Sequence, residues 1–199
     1  DQLFMSGGWV EVTDMGLPRC SDSVYEGRLV PPYSSKMLTR LAQPRSYHAM
    51  EMFDGKLFIF GGYEGKKITA SVVQYDLNKN ECKEMLPLPY AVTEMATVLW
   101  RNNVLVIGGC DEQNKCLKKI VMYDVITGRS QMLPCMKVNR YGCAAVLTGK
   151  VVVVMGGWNA EDKYLKSAES FDLERQVWEH LPDILEPRAF ATAVVKSNY

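Results

Sequence analysis

The chain has 199 residues, enough for one or two domains with a sizeable core, and 47% of them are hydrophobic, which excludes a disordered chain. Its 23 basic and 23 acidic residues cancel, so no charge surplus points to nucleic acid or to an anionic membrane. The longest apolar runs, such as VVVVM at 151–155, are strand-sized and far short of a membrane span, and the opening DQLFMSGG lacks the basic n-region of a signal peptide. With no initiator Met, the chain is expected to be a piece of a longer one.

QLFMSGG begins the chain with an apolar run that closes on the pair Gly7-Gly8, followed by Trp9. SVYE at 23–26 comes next, between two irregular links. From residue 48 the pattern is regular. HAMEMF (48–53), KLFIFGG (56–62), SVVQYD (71–76) and ECKEML (81–86) read as four strands, a to d, rich in Val, Ile, Phe, Tyr and Leu and bounded by turn residues. FDGK and DLNKN are tight hairpin links. The order then returns. VLVI closes on Gly108-Gly109 before Cys110, with IVMYD (120–124) and Leu133-Pro134 after it. VVVVM closes on Gly156-Gly157 before Trp158, with AESFD (168–172) and Leu181-Pro182 after it. FATAVVKSNY ends the chain as a further strand a.

From Gly61-Gly62 onward the glycine pairs recur at steps of about 48 residues, and almost no helical periodicity is present. A Gly-rich turn after a strand can cradle phosphate, but that site needs a helix after the glycines. Here YEGKKITASVVQYD runs into another strand, so the glycines read as structural. They permit positive φ and close backbone approach at the end of a covered strand. A four-stranded antiparallel unit repeating at this period reads as a β-propeller blade.

The set resembles the kelch repeat family. The resemblance rests on the glycine pair closing strand b, the Tyr/Phe-Asp pair closing strand c, and Trp178 six residues beyond Asp172. It covers essentially the whole chain. Cys82 and Ser130 hold the places where the family usually has Trp, and the first unit is irregular. The expected fold is therefore an all-β, kelch-type propeller domain with four four-stranded antiparallel blades in this chain. The units are 1–44 plus 190–199, 45–89, 90–136 and 137–189. FATAVVKSNY and DQLFMSGG together would make one a–b hairpin, which closes a small ring. The family norm of more blades, most often six, favours an arc of a larger ring. Both readings stand.

In a propeller the b–c and d–a links emerge at one end. Here they mix aromatics with both signs of charge, whereas the opposite hairpins are short and merely polar. Kelch proteins commonly hold peptide segments at this face. By position the resemblance carries that role to Trp9, Arg45, Ser46, Tyr47, Tyr63, Arg140, Tyr141, Trp158, Arg188 and Phe190. Arg45 and Arg188 each follow Pro and also fit a turn role. No Pro explains the turn at Arg140-Tyr141, so that pair reads best as ligand-binding, with an acidic or mixed peptide as its target.

Six cysteines without a C-x-x-C pair, and only two histidines, argue against a zinc site and fit a reducing cytosol. They read as buried small hydrophobes, with a redox sensor at Cys110 or Cys116 as the alternative. Copper chemistry of the galactose-oxidase type would need two meeting histidines, and His48 and His180 belong to opposite sides of a blade. No metal and no cofactor are expected. The function implied by the resemblance is a non-enzymatic, cytoplasmic protein-interaction module. Its finer form is the substrate-recognition domain of a cullin-RING ubiquitin ligase adaptor, which meets the ligase through domains absent here. The alternatives are an actin- or cytoskeleton-associated protein, or a propeller enzyme or small-molecule binder.

Overall fold

A computed structural model of the chain describes residues 2–10 and 19–196. All its regular structure is β, and no helix among the described residues is long and apolar enough to cross a membrane. The first group comprises β1 (Gln2–Ser6), β2 (Trp9–Val10), β3 (Arg19–Cys20), β4 (Ser23–Arg28) and β5 (Ser34–Arg40). The second comprises β6 (Ala49–Phe53), β7 (Lys56–Phe60), β8 (Val72–Asp76) and β9 (Glu81–Glu84). The third comprises β10 (Ala96–Trp100), β11 (Asn103–Ile107), β12 (Ile120–Asp124) and β13 (Ser130–Leu133). The fourth comprises β14 (Ala144–Thr148), β15 (Val151–Met155), β16 (Trp158–Asn159), β17 (Lys163–Tyr164), β18 (Ala168–Asp172) and β19 (Val177–Leu181).

The sheet orders are β1-β4-β5, β6-β7-β8-β9, β10-β11-β12-β13 and β14-β15-β18-β19, with β2-β3 and β16-β17 as small ribbons. Neighbouring strands within each of the four main sheets run antiparallel. Local chemistry explains the tight links. Asp54 and Gly55 sit at φ of 48° and 68°, as a type I′ hairpin turn requires. The Asp ending each strand c caps the next turn. Asp76 Oδ1 accepts from the amides of Asn78 and Lys79, both at 3.0 Å, and Asp124 and Asp172 repeat the arrangement.

The sheets stack face to face through three cores. Val24 and Leu41 of the first unit meet Leu57, Ile59, Val73 and Tyr75 of the second. Phe58, Phe60 and Val72 of the second meet Val104, Val106, Val121 and Tyr123 of the third. Leu105, Ile107 and Ile120 of the third meet Val152, Val154, Phe171 and Trp178 of the fourth. Strands β7 and β11 are thus covered on both faces, which is why they read as unbroken apolar runs. Strand β15 alternates buried and half-buried residues, because only one of its faces meets a neighbouring sheet.

Register places Cys82 opposite Tyr75, Ser130 opposite Tyr123 and Trp178 opposite Phe171. Trp178 stacks on Phe171 at 4.9 Å and donates from Nε1 to Pro134 O of the preceding unit at 2.8 Å. In the third unit the Tyr123 hydroxyl makes the corresponding reach, to Leu86 O at 2.8 Å.

The ends differ from one expectation. Strand β1 pairs with β4 alone, and residues 191–196 form no strand. The hairpin that would join FATAVVKSNY to DQLFMSGG is therefore not formed among the described residues, and no core cluster joins the first sheet to the last. Asp1 and residues 197–199 of that expected hairpin lie outside the described residues, as do residues 11–18 of the first long link.

Gly109 shows what the glycine pair does. Its φ is +97°, and a Cβ there would lie 2.5 Å from Val92 Cγ2 and 2.6 Å from Thr93 O. Gly65, at φ +83°, has nothing within 4 Å of the same position. Gly65→Ala is expected to lower stability by about 1 kcal/mol, the conformational cost alone. Gly109→Ala must cost clearly more, because backbone atoms have to shift. Urea denaturation midpoints of the two variants check the difference; equal midpoints would remove the close-approach argument.

Candidate functional site

The d–a links and the starts of the b–c links meet at one end of the stack. In each d–a link one carbonyl accepts from the second glycine of the pair that closes the strand b before it. Gly8 donates to Arg45 O, Gly62 to Val92 O, Gly109 to Arg140 O and Gly157 to Arg188 O, at 2.8–2.9 Å. The next residue bridges to the first residue of a b–c link, as Ser46 to Tyr63, Thr93 to Cys110 and Tyr141 to Trp158. The residue after that has a positive φ: 53° at Tyr47, 55° at Glu94, 58° at Gly142 and 57° at Phe190. These four form a ladder between units. Glu94 N donates to Tyr47 O at 3.0 Å, Gly142 N to Glu94 O at 2.9 Å, and Phe190 N to Gly142 O at 2.7 Å.

Side chains gather here in two aromatic groups. Trp9 lies 6.2 Å from both Tyr47 and Tyr63, ring centre to ring centre. Tyr141 lies 5.3 Å from Trp158 and 6.0 Å from Phe190. Tyr47 is 50% exposed, Trp9 44% and Phe190 63%, so these rings do not serve the core. Beside the first group is a hollow of about 570 Å³ whose wall also includes Ile68, Glu94 and Cys110.

The arginines behave differently from the expectation. Arg140 is fully buried. Its Nη1 donates to Gly156 O at 2.6 Å and Ser167 O at 3.0 Å, and its Nη2 to Ser167 Oγ at 3.1 Å and Glu169 Oε1 at 2.8 Å. Glu169, equally buried, also accepts from the amides of Lys137 and Val138. Fully buried, with both terminal nitrogens bonded inside the fold, Arg140 cannot offer its guanidinium to a partner, and its reading as the ligand donor is corrected. Arg45 is buried in the corresponding place, with Nη1 on Gly61 O and Nη2 on Ser71 Oγ, both at 3.3 Å. Burial lowers its pKa, opposed by Glu64 and Glu84. Ser46 is buried against Cys20 Sγ at 3.3 Å. These three therefore drop out of the exposed surface. Arg188 holds the same sequence position, yet its guanidinium is exposed and bonds only to Glu186, at 3.1 Å. The exposed or half-exposed set at this end is Trp9, Tyr47, Tyr63, Tyr141, Trp158, Arg188 and Phe190.

Glu94 was not singled out in the sequence, although it occupies the same place in its link as Tyr47 and Phe190 in theirs. Burial pushes its carboxyl pKa up, with no charged partner offsetting the effect.

All six cysteines are free thiols. Burial raises the Cys110 thiol to about 11, and raises Cys116 as well, which suppresses the thiolate a redox sensor needs. The described residues bring together no group of three or more His, Cys, Asp and Glu side chains fit to hold a metal ion. His48 packs against the glycine turn of the first unit, with Nε2 2.7 Å from Ser6 Oγ.

Comparison with known proteins agrees with the fold. The family described as the Attractin/LZTR1 beta-propeller matches residues 32–199. Beta-scruin of Limulus polyphemus is 28% identical over 91 residues, which are 42% of this chain and 10% of that protein. Kelch-like protein 40a of Danio rerio is 35% identical over 92 residues, 44% of this chain and 15% of that protein. Spermatocyte protein spe-26 of Caenorhabditis elegans is 32% identical over 94 residues, 45% of this chain and 16% of that protein. The matches thus span 10% to 16% of these relatives' lengths. The solved structure of YjhT superposes with a TM-score of 0.75 at 16% identity, covering 94% of this chain and 67% of that one, which bears on the fold alone.

Two predictions follow from the buried polar groups. Arg140→Ala is expected to cost about 3–5 kcal/mol, because it strands the buried Glu169 carboxylate. Arg188→Ala should leave the urea midpoint unmoved. Equal, small effects would place Arg140 at the surface after all. For His48, burial first and the Arg45 charge second pull the pKa from 6.5 to about 4, against the opposing bond to Ser6. The fold thus holds it neutral, while the unfolded chain takes up a proton below 6.5. Its contribution is fully present above 6.5 and is lost progressively as pH falls toward 4. The stability difference between the wild type and His48→Gln should therefore shrink across that window. A pH-independent difference in urea midpoints would refute this.

Proposed function

Because this chain belongs to the Attractin/LZTR1 β-propeller family and its repeats are kelch repeats, we propose that it is a non-enzymatic protein-interaction module that takes its partner at the end formed by the b–c and d–a links. The observation that carries this reading is the pair of exposed aromatic groups there, built from successive units. Rings of this kind give large contact area for little lost side-chain entropy, and Trp, Tyr and Arg dominate binding hot spots. The rings lie outside the three cores.

The finer reading is the substrate-recognition domain of a cullin-RING ubiquitin ligase adaptor. Its support is likeness to proteins named Kelch-like. Cytoskeletal association through actin is the second reading and rests on the family resemblance alone. A cytoplasmic setting accompanies both.

We also take the four units to be blades of a wider propeller. Arg188 supports this. Its carbonyl is held by Gly157 as Arg140 O is held by Gly109, but its guanidinium lacks the glycine carbonyl and serine that receive Arg140. The exposure of Leu3 and Met5 on β1, and the half-buried face of β15, point the same way.

The test is affinity capture from cytosol with the wild type, with a double variant Trp158→Ala/Phe190→Ala, and with Lys79→Ala in an opposite-end hairpin. The mouth variant should lose partners that the wild type and Lys79→Ala retain, by about thirtyfold or more if a true anchor of roughly 2 kcal/mol is removed. Equal capture by all three would assign the wrong face. Ubiquitin accumulation on captured partners in cells supports the adaptor reading, and co-sedimentation with filaments supports the cytoskeletal one.

A further inference from the structure

The ladder of positive-φ residues separates what the backbone needs from what the side chains add. Its geometry asks only for left-handed backbone, which Gly142 supplies freely. Tyr47 and Glu94 occupy equivalent places at φ of 53° and 55°, where a Cβ is unfavourable. Tyr47 is exposed and Glu94 half-exposed, so neither repays that strain by filling the core. Both line the hollow of about 570 Å³, a volume typical of ligand pockets, together with Trp9 and Tyr63. Strain at these two positions is thus coupled to a cavity.

The cavity sets aromatic rings beside charges of both signs, Lys66, Lys67, Glu94 and Glu112. Trp9 lies beside both Tyr47 and Tyr63, with the Trp9 and Tyr63 planes 33° apart and the Trp9 and Tyr47 planes 66° apart, so the three rings line one side of the hollow. Glu94 is the least solvated charge in the lining and is in no ion pair among the described residues. The other charges are Lys66, Lys67 and Glu112, all well exposed, and Lys67 leans to Glu64 at 3.8 Å. Aromatic rings attract cations over their faces, and the half-exposed Glu94 carboxylate is free to take a charge-assisted partner. A planar cation suits a wall better than a compact ammonium, which is strongly hydrated and has no flat face to stack.

We propose that this hollow receives an arginine side chain of a protein partner, its guanidinium stacked on the Trp9–Tyr47–Tyr63 wall and paired with the Glu94 carboxylate. The proposal rests on the interaction reading above and puts a basic partner group where the sequence pointed to an acidic or mixed peptide met by Arg140.

The experiment titrates the full chain with N-acetyl-arginine amide and follows the Trp9 indole N–H resonance. The expected result is saturable binding in the millimolar range, weakened about tenfold by Glu94→Gln, the loss of one charge-assisted pair. N-acetyl-citrulline amide, neutral but nearly isosteric, should give no saturation, and N-acetyl-lysine amide should bind more weakly than the arginine probe. Three outcomes overturn the proposal: citrulline binding like arginine, lysine binding as tightly as arginine, or Glu94→Gln leaving the affinity unchanged. Thermal melts of Glu94→Gln check that the fold is intact; if it is not, Tyr63→Leu replaces it, with the same weakening required. Failure here is distinguishable from failure of the interaction reading. Glu94→Gln that captures every wild-type partner, while Trp158→Ala/Phe190→Ala captures none, overturns the arginine site and leaves the interaction module standing.

Discussion

One backbone hydrogen bond, made four times, sets the rest of the architecture. The amide of the second glycine in each pair donates to a carbonyl within the next d–a link, from Gly8 to Arg45, Gly62 to Val92, Gly109 to Arg140 and Gly157 to Arg188. At Gly62, Gly109 and Gly157 this joint brings neighbouring backbones to a distance that a side chain would prevent, whereas Gly8 has open space at the same position. With the link held there, the side chain of the bonded residue is directed into the unit that follows, where Arg45 and Arg140 become buried. The following residues are left to pair with the b–c link and to build the ladder around the mouth.

The joint also explains how the cores and the mouth depend on each other. The three hydrophobic interfaces are faces of sheets and carry no directional information. The glycine bond fixes the relative placement at one end, and contacts such as Tyr123 to Leu86 O and Trp178 to Pro134 O fix it toward the outer strands. Between these anchors each interface packs in one register, so the aromatic rings at the mouth stand on a rigid base.

Most of the strand order was legible because the sheet faces repeat. Glycine pairs, Tyr/Phe-Asp ends and apolar runs each report a local demand that every unit makes. The role of Arg140 was not read, although a signal existed. Glu169 stands where Val73 and Val121 stand in the preceding strand c segments, and a carboxylate at a buried strand position requires a buried cation. The cue lies in a difference between repeats rather than in what they share. Glu94 escaped for the same reason, being the acidic member of a set whose other members are Tyr47, Gly142 and Phe190. The fate of the C-terminal strand was not legible because pairing to β1 depends on where the stack carries its end, which no local pattern encodes.

The ladder at the mouth has an evolutionary consequence. Its amides and carbonyls are bonded to each other in the same way whether the residue is Tyr47, Glu94, Gly142 or Phe190. An aromatic and an acid are both carried there on the same backbone, whereas at Gly142 an added Cβ would lie 2.9 Å from the Phe190 ring, so a side chain there would have to move that ring aside. Recognition can therefore drift at Tyr47 and Glu94 by single codon changes without a compensating mutation in the sheets beneath, while Gly142 and Phe190 must change together.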